Sequence, residues 1–171
     1  MLALLAYAFI SNVALAVVPH EPVVIWYGAR LGVWPTTFVA TAGTVAAAWV
    51  DHRLFVPLIQ RFAASRAADP GPAARGRSWV RSGFARFPFA ILTLSGLTPL
   101  PFFPFKALAF AAGYPLGRYL GAITARSLAR YALLAWLGVA VRLPPSLLVL
   151  VFLVLLIPSV KALLWHRQSA N

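Results

Sequence analysis

The chain has no cysteine and only three acidic residues, Glu21, Asp51 and Asp69. Without cysteine there is no disulfide framework, thiolate metal site or thiol nucleophile. Its three histidines, His20, His52 and His166, stand far apart with no metal-ligand spacing, so no metal and no cofactor is expected. No Ser/His/Asp set or Gly-rich phosphate loop is present, and Gly113-Tyr114-Pro115-Leu116-Gly117 is not a dinucleotide fingerprint. Nothing in the sequence points to an enzyme. Charge is scarce as well: 11% of residues are charged, against about 25% in a soluble globular domain.

What fills the chain instead is apolar. Of its 171 residues 61% are hydrophobic. A soluble fold this short would leave much of that surface in water, so the expected solvent is lipid. The net charge of +12 would suggest nucleic acid in a soluble protein, but too much of the remaining sequence is apolar for that partner. The basic residues cluster between apolar runs, at Arg61, Arg66, Arg75, Arg77, Arg81 and Arg86. Such clusters mark the cytoplasmic side of a membrane protein and favour anionic lipid headgroups. No Lys or Arg precedes Arg30, so the apolar start lacks a signal peptide's positive region and residues 1–18 are read as retained.

Crossing the hydrocarbon takes about 20 apolar residues in a helix. Residues 1–19 stop at Pro19-His20-Glu21-Pro22, and residues 23–29 are too few to cross, which predicts a hairpin turning at Pro19 and Pro22. Gly28, Gly32 and Pro35 punctuate the next turn. Residues 36–60 form a full span with Thr36 or Thr37 as N-cap and Arg61 at the cytoplasmic end. Residues 63–78 read as a cytoplasmic loop, and Trp79 to Arg86 as an amphipathic segment at the interface. Residues 87–98 then run into Pro99, Pro101 and Pro104, which cannot continue a helix, and residues 105–112 end at Gly113. Residues 117–141 make a second full span, and residues 146–164 a Leu/Val-rich closing helix.

The fold class expected is an all-α integral membrane protein in one membrane domain. Residues 1–60 are the first hairpin and helix, 61–86 the basic cytoplasmic loop and amphipathic segment, 87–141 the second hairpin and helix, and 146–164 a C-terminal transmembrane helix. The two hairpins are re-entrant and open on opposite sides, giving the inverted repeat of many secondary transporters. Irregular backbone at that depth needs a wet cavity or protein around it.

Glu21 is a carboxylate at a broken helix, and its burial cost in lipid implies a cationic partner, a cavity or a proton to exchange. Asp51 lies inside the first span, where Arg53 is a candidate partner and structural and coupling roles both remain open. His20 and His52 can move protons or simply hydrogen-bond. Arg126 and Arg130 are four apart and share a helix face. Their guanidinium forks suit a phosphate, or equally pairing with Glu21 and Asp51. Lys106 and Arg118 are expected to snorkel to the interface.

Pro19-His20-Glu21 with Gly28 resembles the Pro-x-Glu turn and glycine of the DedA family, also called the SNARE-associated or VTT-domain superfamily. Thr98-Pro99-Leu100-Pro101-Phe102-Phe103-Pro104-Phe105-Lys106 with Ala111-Ala112-Gly113 is similar to the family's second hairpin, and Gly121, Arg126 and Arg130 to the helix after it. The resemblance covers about residues 12–140 and is nearest the compact YqaA-like members. The chain departs from the family at Ser95-Gly96-Leu97, where an arginine is common, and at Ala46 to His52. The resemblance implies translocation of undecaprenyl phosphate or a phospholipid and a part in proton-motive-force homeostasis, with Glu21 and Asp51 as the membrane acids and Arg126 and Arg130 as the essential arginines. Read as a transporter, the chain has Glu21, Asp51 and His20 as coupling candidates and Arg126 and Arg130 as candidate ligands of the lipid phosphate. Partners are then membrane lipids, with a homo-oligomer as a further expectation. Thirteen arginines to two lysines and abundant alanine suggest a high-GC bacterium, hence its inner (plasma) membrane, with residues 61–86 and the C-terminus cytoplasmic. The rival readings are a non-transporting scaffold or assembly factor whose internal charges only pair, and a small ion or drug exporter.

Overall fold

The computed structural model describes residues 1–13, 19–66, 87–94, 103–141 and 144–154. These form seven helices: α1 Leu2–Asn12, α2 Glu21–Leu31, α3 Val33–Arg66, α4 Pro88–Leu94, α5 Phe103–Ala111, α6 Leu116–Val141 and α7 Pro145–Val154. The described residues contain no strand. Of the loop expected over 63–78 and the amphipathic segment expected over 79–86, residues 63–66 belong to α3 instead and the rest lie outside the described residues, as do the turn prolines Pro99 and Pro101 and the end of the closing helix.

Among the described residues one helix is long and apolar enough to cross a membrane, the Val33–Ile59 part of α3, with mean hydropathy 1.2. α6 reaches comparable length but carries Arg118, Arg126 and Arg130. α1 and α2, at 11 residues each, are about 16 Å long, half of a hydrocarbon core about 30 Å thick. They pack against each other, as α4 does against α5.

The first break comes earlier than Pro19. α1 ends at Asn12, and Val13 is already extended. Ser11 and Asn12 both turn their side chains back onto the Ala8 carbonyl, a local bond that competes with helix continuation. The returning chain is held by the Tyr7 hydroxyl, which donates to the Pro19 carbonyl at 2.7 Å. Pro22 sits in the first turn of α2, where its missing N–H costs nothing, so it opens that helix rather than forming the turn itself.

Further expectations need correction. Gly28 is not a turn residue: it lies within α2, and the stop is at Gly32, whose φ of 85° few other residues adopt. α3 therefore starts at Val33, ahead of Thr36 and Thr37. Neither threonine is its N-cap, and Thr37 instead bonds back to the Val33 carbonyl at 2.8 Å. α3 also runs on past Arg61, with Pro57 inside it. In the second half, α5 ends as expected at Gly113, φ 62°, where Tyr114 N–H reaches back to Ala109 O and Gly113 N–H to Phe110 O, a Schellman closure. Pro104 lies inside α5 by its backbone, so it belongs to the return helix and not to the turn before it.

The chain divides into two compact units, residues 1–47 with 127–171, and residues 48–126. The first unit has a core of Leu4, Ala8, Val24, Ala40, Tyr131 and Ala135. Its helices approach closely where glycine leaves room. A Cβ on Gly28 would stand 2.5 Å from Ala135 backbone, and one on Gly138 would stand 2.0 Å from the Ile25 carbonyl oxygen. Gly138→Leu therefore has to push α2 and α6 apart, and should cost about 3 kcal/mol of unfolding free energy, read from equilibrium unfolding in detergent. The second unit is built around Leu92, Ala109, Phe110, Tyr119, Ala122 and Ile123, all buried.

Candidate functional site

Among the described residues each unit shows a pair of opposite charges. In the first unit Glu21, the opening residue of α2, accepts a hydrogen bond from Arg130 of α6. The Glu21 side chain is 26% exposed and that of Arg130 29%, so the pair is half open. Beside it His20 is buried and meets Tyr131 edge-on, ring centroids 5.5 Å apart. The Tyr131 hydroxyl lies 2.7 Å from the Thr44 hydroxyl. Thr44 gives its own proton to the Ala40 carbonyl, which leaves Tyr131 as the donor between them. Asn12 donates to the same Thr44 oxygen at 3.3 Å. The ion pair thus stands next to a run of buried polar groups drawn from α1, α3 and α6.

In the second unit Asp51 of α3 is fully buried and accepts a hydrogen bond from Lys106 of α5, itself 5% exposed. Arg126 of α6, 7% exposed, lies within electrostatic reach of Lys106. Tyr119 is completely buried beside them, and its hydroxyl has no hydrogen-bond partner among the described residues. His52 places Nε2 at 2.9 Å from the Tyr114 carbonyl, so that nitrogen carries the proton. Its ring packs on Phe110 and Tyr119.

Against the sequence expectations, Glu21 does meet one of the two arginines. Asp51 does not meet Arg53, which is exposed and lies over the Trp49 ring, 5.9 Å from its centroid. Lys106 does not snorkel: burial of the return helix carries its ammonium inward to Asp51. Arg126 and Arg130 share a helix but belong to different units, each beside a different carboxylate-bearing cluster. The residues missed by sequence reasoning are Lys106, Tyr119, Tyr131 and Thr44. One signal could have found Lys106, because each return helix carries an ionisable group in its opening turn, Glu21 in α2 and Lys106 in α5, of opposite sign.

Among the described residues no three His, Asp or Glu side chains gather as metal ligands would. Comparison with protein-family models, curated proteins and solved structures finds no match. What the described residues define is an all-helical fold with one helix long and apolar enough to cross a membrane and a buried or partly buried ion pair in each of two units.

Proposed function

We propose that the chain is an integral membrane protein of the DedA/VTT kind, resident in a bacterial inner membrane, that moves a lipid phosphate across the bilayer. The cargo is undecaprenyl phosphate or a phospholipid. The observation that carries this reading is the reciprocity of the two ion pairs. The acid on the first return helix, Glu21, meets a base on the second long helix, Arg130; the base on the second return helix, Lys106, meets an acid on the first long helix, Asp51. Each return helix also ends at a glycine of positive φ just before its long helix. That is the correspondence expected of two inverted repeats with broken helices at the substrate site. Lipid surroundings are supported by Ile10, Trp34, Phe38, Leu54, Leu133 and Trp136, each more than half exposed.

Arg130 is the phosphate ligand in this reading, and Glu21 is its competitor. A guanidinium has five N–H donors in a rigid fork, and a phosphate engages two of them side by side. While Glu21 is ionised it occupies part of that fork. Taking up a proton turns the carboxylate into a neutral acid and frees Arg130 for the anion. Phosphate binding and proton uptake then become two sides of one exchange, with His20 and the Tyr131 hydroxyl as neighbouring polar groups. Asp51, Lys106 and Arg126 form the matching cluster of the other half.

The test is lipid translocation in proteoliposomes. Flipping of a fluorescent lipid phosphate should fall to background in the Arg126→Ala/Arg130→Ala variant, and wild-type rates there would remove the phosphate site. A second reading, a non-transporting scaffold, is favoured by one observation, the complete enclosure of Asp51 with Lys106, which suits a purely structural pair. It predicts no translocation by the wild-type protein.

A further inference from the structure

The unit of residues 1–47 and 127–171 has an open groove of about 290 Å³ between α2 and α7. Val23, Trp26 and Tyr27 form one wall, and Leu148, Val149 and Phe152 the other. Among the described residues no charged side chain lines it. Pro22 is also part of its lining, and the preceding residue is Glu21, the partner of Arg130. We infer that this groove holds one hydrocarbon chain of an anionic lipid whose headgroup is met by Arg130. The inference rests on the translocation reading and adds where the tail goes and how many tails fit.

Chemistry selects the occupant. A peptide strand or loop would bring backbone N–H and C=O groups that this apolar lining cannot satisfy. A helix about 10 Å across does not fit a space this small. Pockets that enclose whole drug-sized molecules run from about 300 to 1,000 Å³, so this one has room for part of one chain and not for two side by side. Because the groove is open and not an enclosed cavity, a chain longer than the groove continues into the surrounding lipid. Trp26 and Phe152 supply broad faces that grip a flexible chain with little loss of their own side-chain freedom. The head needs an anion-binding group, and Arg130, its side chain 29% exposed, has one of its five donors engaged by Glu21, while the exposed Arg30 is already stacked over Trp26 at 3.9 Å. A two-chain lipid must leave its second tail outside, so a single-chain lipid phosphate makes the better fit.

The experiment uses the full-length protein in phosphatidylcholine vesicles with a hexadecyl monophosphate that carries a diazirine on its chain. After illumination, peptides are mapped by mass spectrometry. Labelling should concentrate on the peptides containing Trp26 and Leu148. Unlabelled hexadecyl phosphate should compete about five-fold better than dioleoyl phosphatidate, with inorganic phosphate ineffective. Leu148→Trp, which fills the groove, should cut labelling about five-fold, as should Val149→Trp, with the thermal unfolding midpoint followed in parallel to choose a folded variant. Label spread evenly onto the exposed Leu133, Trp136 and Val139 face would overturn the inference, and so would undiminished labelling in a folded groove-filled variant, or equal competition by phosphatidate. Groove labelling without any translocation would sink the transport reading and leave the groove standing. Translocation that is indifferent to filling the groove would sink the groove alone.

Discussion

Replacing Lys106 with methionine will lower the unfolding free energy by about 3–5 kcal/mol, because it leaves the Asp51 carboxylate buried without its ammonium. Methionine keeps the unbranched stem that packs in α5, so the loss reports the charge and not a cavity. Asp51→Leu should cost a similar amount. In the double variant the two losses should not add, and the cycle should give a coupling energy above about 1 kcal/mol. Arg53→Ala serves as the control: its side chain is exposed, and its removal should change stability by less than about 0.5 kcal/mol. The measurement is equilibrium unfolding of the purified protein in mixed micelles. Strict additivity of Lys106→Met and Asp51→Leu would show that the two side chains do not meet in the folded protein.

The half-open pair should behave in the opposite way. Arg130→Ala should reduce lipid translocation more than ten-fold, the loss of a charge-assisted bidentate contact being worth about 1.5–3 kcal/mol. The same change should cost about 1 kcal/mol of stability or less, since both side chains keep more than a quarter of their surface open. Arg130→Lys retains the charge but not the planar fork, and should recover only part of the rate. Glu21→Gln removes the competitor while preserving shape, so it should bind lipid phosphate without the pH dependence of the parent. Rates and midpoints measured on the same preparations separate the two roles. A variant at Arg130 that loses stability in proportion to its loss of transport would assign that residue to the fold alone.

The contrast between these pairs explains what could be read in the residues beforehand. Glu21 was legible because prolines on both sides announce a broken helix, and a carboxylate there requires a reason. Arg130 was legible from its four-residue spacing to Arg126. Lys106 was not, since a lysine near the start of a short apolar helix has the pattern of a snorkelling residue. Only the tertiary packing of α5 against Asp51 turns it inward. Glycine was ambiguous for a similar reason. Gly28 and Gly32 are four apart and equally small; one is needed for a close approach to Ala135 and the other for its backbone angle. Composition carries both demands with the same letter. The extent of α3 was also hidden. Arg61 and the basic residues after it read as the end of the span, yet the helix runs on to Arg66 with Pro57 inside it, because proline removes a single hydrogen bond and its neighbours maintain the rest.

The bond from Tyr7 to the Pro19 carbonyl joins positions only twelve apart. The first hairpin is therefore closed by contacts among its own early residues, and contacts so near in sequence form fast. Arg130, by contrast, is 109 positions downstream of the carboxylate that it neutralises. During synthesis the amino-terminal hairpin can be complete while the cation that matches Glu21 has yet to be translated. Through that interval the carboxylate lacks its counter-ion, and the pair is completed only when α6 arrives. The neutralisation of Glu21 is therefore a late step of assembly, made across the longest sequence separation of any bond described above.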